Sequence, residues 1–156
     1  MRLMIHSLHL SFGRDVQLGK NKTYRGFVKT GRGRGVAEMS SGGSLDEFQR
    51  LTGLPIIPGT LNLDLSEPFD LALLKYVTFA KLGWTIDLLK SGIEYDGEIG
   101  MYYGKALVAG KYPAFVIFFS WVDDLRTDAE LVSSYHLRGA LNLRDGDIVD
   151  FRLITA

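Results

Sequence analysis

Alternation of apolar and polar positions is cleanest between Thr60 and Leu65. Leu61, Leu63 and Leu65 fall on one side of an extended segment, and Thr60, Asn62 and Asp64 on the other. Pro58-Gly59 supplies a turn just ahead of it. The leucine face requires a core. Apolar patterning also predicts strands over Arg2–Phe12, with Leu3, Ile5, Leu8 and Leu10, and over Tyr24–Thr30, with Tyr24, Phe27 and Val28. Met101–Val108 and Ala114–Phe119 read as two more strands, connected through Gly110-Lys111-Tyr112-Pro113, and Ile148–Ile154 as the last. The clearest helix opens at Ser44. Ser44 and Glu47 form a capping-box pattern, Leu45, Phe48 and Leu51 recur at helical spacing, and Gly53 suits the stop. Leu137–Leu143 suggests one helical turn and Arg144–Asp147 a tight turn, whereas Phe69–Val77 and Thr85–Lys90 fit a short helix or a strand equally well. Gly13–Lys22 is polar and reads as a loop. Short strands, one good helix and no internal repeat or linker predict a single mainly β domain, a compact β-barrel with added helices.

Composition narrows the function classes. The chain of 156 residues is 46% hydrophobic and 23% charged, an ordinary globular balance. No apolar run approaches the roughly 20 residues that cross a bilayer, and Met1–Ile5 is too short for a secretory signal. The absence of cysteine excludes disulfides, thiolate chemistry and cysteine-ligated zinc, with the cytoplasm as the simplest compartment. Net charge is zero, so no global field draws nucleic acid or a membrane. Locally the balance differs: Lys20, Lys22, Arg25, Lys29, Arg32 and Arg34 occur between Lys20 and Ala37 without one acid. That clustering suits a local anionic ligand, and equally a solvated basic hairpin.

Within that segment, Gly31-Arg32-Gly33-Arg34-Gly35-Val36 permits close backbone approach, and its bare N–H groups suit an anion. It matches neither the P-loop nor the dinucleotide fingerprint, and an Arg-Gly tract touching RNA fits it as well. The hydroxyl of Thr60 and the amide oxygen of Asn62 share one strand face, as hard ligands for a Mg²⁺ that also holds phosphate; an ordinary half-buried strand with a solvated face has the same pattern. His6 and His9 have a spacing that fits neither a helical metal pair nor one strand face. Phe115, Phe118, Phe119 and Trp121 suit either core packing or stacking on a flat ring. Asp123, Asp124, Asp128 and Glu130 read as an acidic, solvated turn.

In order, the chain carries G-x-G-x-G after a strand, a capped helix, P-G-T-L-N-L at a strand start, then Glu130, Leu137-Arg138, Leu141 and Asp145-Gly146-Asp147 before a final strand. This series, from Gly26 to Leu153, resembles the archaeal CTP-dependent riboflavin kinases. The resemblance implies a six-stranded, cradle-loop type β-barrel, with most of residues 1–25 as an N-terminal addition. It implies transfer of the CTP γ-phosphate to the riboflavin 5′-hydroxyl, giving FMN and CDP. By position, Gly31, Arg32, Gly33, Arg34, Gly35 and Val36 would form the nucleotide loop, Thr60 and Asn62 would hold Mg²⁺, and Tyr135, His136, Leu137 and Arg138 would flank CTP. Glu130 would meet the flavin and serve as the catalytic carboxylate. The family's Thr-x-His element before that glutamate is absent, which leaves Ser120 as the nearest hydroxyl for the flavin. Both spacers of the glycine run are arginine, and Ser133-Ser134 stands where relatives have Ala-Pro. The expected partners are these small molecules alone, for a monomer. Altered residues between Ser120 and Ser134 also fit a kinase of another small alcohol, or a non-catalytic flavin or nucleotide sensor; an RNA-binding barrel using Lys20 to Arg34 is a further reading.

Overall fold

The computed structural model describes residues 22–31 and 44–154. The strand expected over Arg2–Phe12, most of the loop that follows it, and Arg32 to Ala37 lie outside the described residues, as does the capping side chain of Ser44.

Among the described residues seven strands form the fold: β1 (Thr23–Lys29), β2 (Leu61–Leu65), β3 (Lys75–Thr78), β4 (Gly100–Val108), β5 (Tyr112–Phe119), β6 (Asp128–Ser133) and β7 (Ile148–Leu153). Every pairing is antiparallel, in the order β3-β4-β5-β6-β2-β1-β7, and β7 pairs again with the far half of β4. Six strands thus close into a barrel, which removes the open edges a flat sheet would leave. β3 is an added strand on the first half of β4. The helices are short: α1 (Ser44–Thr52), α2 (Phe79–Leu82) and α3 (Leu137–Ala140).

The leucines of β2 point into the barrel. Leu61, Leu63 and Leu65 are buried with Tyr24, Val28, Val116, Phe118, Leu131 and Phe151. Phe69 plugs this interior, with ring centroids 4.3 Å from Tyr24 and 5.0 Å from Phe118. A second apolar layer lies against the outer face of β5 and β6, where Phe115, Ile117, Trp121 and Val132 meet Ile56, Val77, Phe79 and Leu88. β5 is therefore buried on both faces, which is why it reads as a continuous apolar run. Phe115, Phe118 and Trp121 of the aromatic run are core residues.

Several expectations are corrected. Asp128 and Glu130 do not sit in a solvated turn. They belong to β6, whose Ala129 and Leu131 enter the barrel while Val132 enters the outer layer. Two acids at its start mask an otherwise apolar strand. Tyr112 and Pro113 lie in β5, not in the connection. The reversal is made by Ala109 and Gly110, at φ 53° and 67°, with the Lys111 N–H donating to Val108 O at 3.0 Å. Two positive φ angles match the strand twist and make the tight hairpin possible. In β1 the inward residues are Tyr24, Gly26 and Val28, so Phe27 faces out and is exposed. The ambiguous segments resolve into 3-10 turns at Leu71–Leu73 and Leu89–Ser91, with β3 over Lys75–Thr78.

Candidate active site

The polar face of β2 forms the floor of an open cleft on the outside of the barrel wall. Asn62 is the cross-strand partner of Glu130 on β6, and cross-strand partners project to the same side. The Thr60 hydroxyl donates to Glu130 Oε1 at 2.9 Å, and Asn62 Nδ2 donates to Thr60 Oγ1 at 3.3 Å. Hydroxyl, amide and carboxylate thus lie together, with Glu130 only 8% exposed. Asn62 Nδ2 faces Thr60, and Asn62 Oδ1 accepts no hydrogen bond among the described residues. Further along the same face Asp64 opposes Asp128, whose carboxylate is held by Lys29 Nζ at 2.9 Å.

The end of β1 forms one wall. Gly31 lies so close to Asn62 that a Cβ built on it would stand 2.2 Å from Asn62 Nδ2. The first residue of the glycine run is therefore against the candidate ligand, and only a glycine fits without moving that amide. Arg32, Gly33, Arg34, Gly35 and Val36 lie outside the described residues.

Ile57, Pro58 and Gly59 form a second rim. Ile57 N–H donates to Ser133 O at 3.0 Å, and Gln49 of α1 donates to Ile56 O at 3.1 Å, so the helix fixes the approach to Thr60. Ser133 is buried at the end of β6, where its hydroxyl donates to Pro113 O at 2.7 Å and accepts from the Tyr135 N–H at 3.1 Å. This hydrogen-bonded bracket aims the segment that carries Tyr135, His136, Leu137 and Arg138 at the cleft.

That segment makes the opposite wall. His136 caps α3 through Nδ1, which accepts from the Gly139 N–H at 3.1 Å. Leu137 is buried in the barrel core and anchors the turn. Tyr135 is exposed, edge-on to Tyr112 with centroids 5.1 Å apart. Arg138 Nη2 pairs with Asp145 Oδ1 at 3.1 Å, and Asp145 Oδ2 also accepts a short hydrogen bond from the Thr30 hydroxyl. The Thr30 bond, followed by Arg138, holds the Asp145 carboxyl below its ordinary range. Its contribution to stability is accordingly present above the ordinary carboxylate pKa and lost as pH falls through the lowered one.

Together these walls enclose about 860 Å³, lined among others by Thr30, Gly31, Thr60, Asn62, Glu130, Tyr135, His136, Leu137, Arg138, Arg144 and Asp145. That size suits a small-molecule site. Each expected site residue within the described part reaches this cleft except Ser120. Its hydroxyl donates to Glu98 O at 2.8 Å and accepts from the Gly100 N–H at 2.9 Å, tying the ends of β4 and β5 instead. Thr30, Ser133, Arg144 and Asp145 were not singled out as site residues from sequence. For Arg144 and Asp145 the signal was present, because the turn that carries them follows the α3 segment within a few residues.

The cleft residues fit a magnesium ion in kind. Thr60 and Asn62 offer neutral hard oxygens on an accessible face, and Mg²⁺ ordinarily takes few protein ligands beside phosphate and water. Among the described residues no cluster of three His, Cys, Asp or Glu is placed to hold a metal, so such an ion would depend on these oxygens and on the phosphates of a ligand.

The family model of CTP-dependent riboflavin kinases, described as domain of unknown function DUF120, matches residues 28–153, which include every cleft residue named above. A riboflavin kinase of Methanothermobacter thermautotrophicus is 28% identical over 130 residues, covering 83% of this chain and 97% of that protein. Because the family match spans most of the chain and every residue of the cleft, the chain belongs to the CTP-dependent riboflavin kinase family.

Proposed function

We propose that the protein transfers the γ-phosphate of CTP to the ribityl 5′-hydroxyl of riboflavin, giving FMN and CDP. The observation that carries this reading is the joining of Thr60, Asn62 and Glu130 in one hydrogen-bonded group, with Gly31 packed against it at the mouth of the glycine run. Family membership supports riboflavin as the acceptor, and the family's name supports CTP as the donor.

Phosphoryl transfer needs positioning and charge neutralisation more than covalent participation by the protein. Thr60 Oγ1 and Asn62 Oδ1 would hold Mg²⁺, which would supply positive charge to neutralise phosphate oxygens. Gly31 would offer its backbone N–H to the phosphates, and the glycine run that follows it in sequence carries further bare N–H groups of the kind that stabilise developing charge. Arg144, an exposed cation lining the cleft, adds charge complementary to a triphosphate. Glu130 orients the acceptor hydroxyl and takes its proton as the new P–O bond forms and the bond to CDP breaks. Its hydrogen bond from Thr60 keeps the carboxylate aimed along the strand face. Tyr135 to Arg138 meet the pyrimidine, whose small edge suits main-chain recognition.

Incubation of the protein with riboflavin, Mg²⁺ and each of CTP, ATP, GTP and UTP, followed by chromatography, tests the reading. FMN and CDP should appear with CTP at least about tenfold faster than with the other nucleotides, a gap of about 1.4 kcal/mol in barrel-side recognition. Absence of FMN with every nucleotide overturns it.

A further inference from the structure

Asp145 has no role in the mechanism above, yet it is the point at which two walls of the cleft are tied together. Its two carboxylate oxygens are divided between them. Oδ2 accepts from the hydroxyl of Thr30, the last residue before Gly31, and Oδ1 pairs with Arg138 Nη2 at 3.1 Å. The same Nη2 reaches Lys29 O at 3.5 Å, so the arginine spans from α3 to the end of β1. The turn that carries Asp145 is itself fixed to β1. Gly146 N–H donates to Val28 O at 2.7 Å, Val28 N–H donates to Asp147 O at 2.8 Å, and Asp147 Oδ2 accepts from the Arg144 N–H at 2.8 Å. A backbone held this firmly gives the carboxylate a defined position, although the side chain itself is exposed.

We propose that Asp145 is a positioning residue for the phosphate donor, setting the exit of β1 toward the glycine run and the guanidinium of Arg138 at a fixed separation across the cleft. The proposal rests on the reading of this cleft as the CTP site. Binding of Nη2 by Asp145 leaves the remaining N–H groups of Arg138 available, because a guanidinium carries five donors in a rigid fork. Preorganisation of this kind lowers the ordering cost of binding, so its loss falls on donor affinity more than on the chemical step.

The test is steady-state kinetics of the full chain with D145N and T30V, alongside CTP binding by calorimetry and thermal melting. D145N removes the charge that holds Arg138, and T30V removes the hydroxyl alone. Each should raise KM and Kd for CTP about three- to tenfold, while kcat and the KM for riboflavin stay within twofold and melting is little changed. D145E, which restores a carboxylate, should recover part of the affinity. Unchanged CTP affinity in both variants, or a fall in kcat alone that follows loss of folded protein, overturns the proposal. Wild-type protein that forms FMN from CTP while D145N retains full affinity rejects Asp145 alone; wild-type protein that neither binds CTP nor forms FMN rejects the reading of the cleft itself.

Discussion

Gly31 and Asn62 show how one missing side chain sets a site. The distance of 2.2 Å from a built Cβ to Asn62 Nδ2 leaves no room for any substituent, and the atom that must give way belongs to a candidate metal ligand. G31A should therefore turn the Asn62 amide out of place without disturbing the barrel. Loss of a single well-placed interaction of about 1–3 kcal/mol corresponds to a roughly 5- to 150-fold fall in kcat/KM. The expected result is that fall together with a higher Mg²⁺ requirement and an unchanged melting temperature. Wild-type activity in G31A would show that the glycine serves only local packing. From the sequence, the hydroxyl and amide of Thr60 and Asn62 were legible as a shared face because strand alternation is rigid. Their contact with Glu130 was not, since it depends on pairing residues 70 apart in the chain. Ser120 illustrates the opposite case: a hydroxyl near the right place in sequence is directed by the β4–β5 hairpin to the carbonyl of Glu98.

At the scale of elements, the two faces of β5 decide what the wall can carry. Phe118 enters the barrel and Phe115 enters the outer layer, each almost wholly buried. Truncation of either leaves a cavity that the closed barrel cannot collapse around, so F118A and F115A should each cost about 3–5 kcal/mol in urea unfolding. A cost below about 1 kcal/mol for F115A would mean that the outer layer is not a true core. β2, β4, β7 and helix α1 were legible because alternation or capping marks them locally. β6 was hidden because Asp128 and Glu130 give a strand with buried Ala129, Leu131 and Val132 the composition of a turn. The positive φ of Ala109 was hidden as well, since alanine carries no turn signature.

For the molecule as a whole, a six-stranded barrel was expected and is found, whereas the strand pair that closes it was not legible. Only the second pairing of β4, with β7, joins the ends of the sheet, and that contact is set by tertiary packing rather than by any local pattern. Closure brings the end of β1, the polar face of β2 and β6, and the α3 turn around one cleft, drawing on residues from Thr30 to Asp145. No helix among the described residues is long and apolar enough to cross a membrane. In the proposed mechanism the oxygens of Thr60 and Asn62 would hold the ion that presents the triphosphate. This role is tested most directly by a Mg²⁺ titration of FMN formation from riboflavin and CTP, with the wild type beside T60A and N62A. Both variants should need more Mg²⁺ for half-maximal rate and lose at least about tenfold in kcat/KM at fixed Mg²⁺. Wild-type rate and wild-type metal dependence in both variants would contradict it.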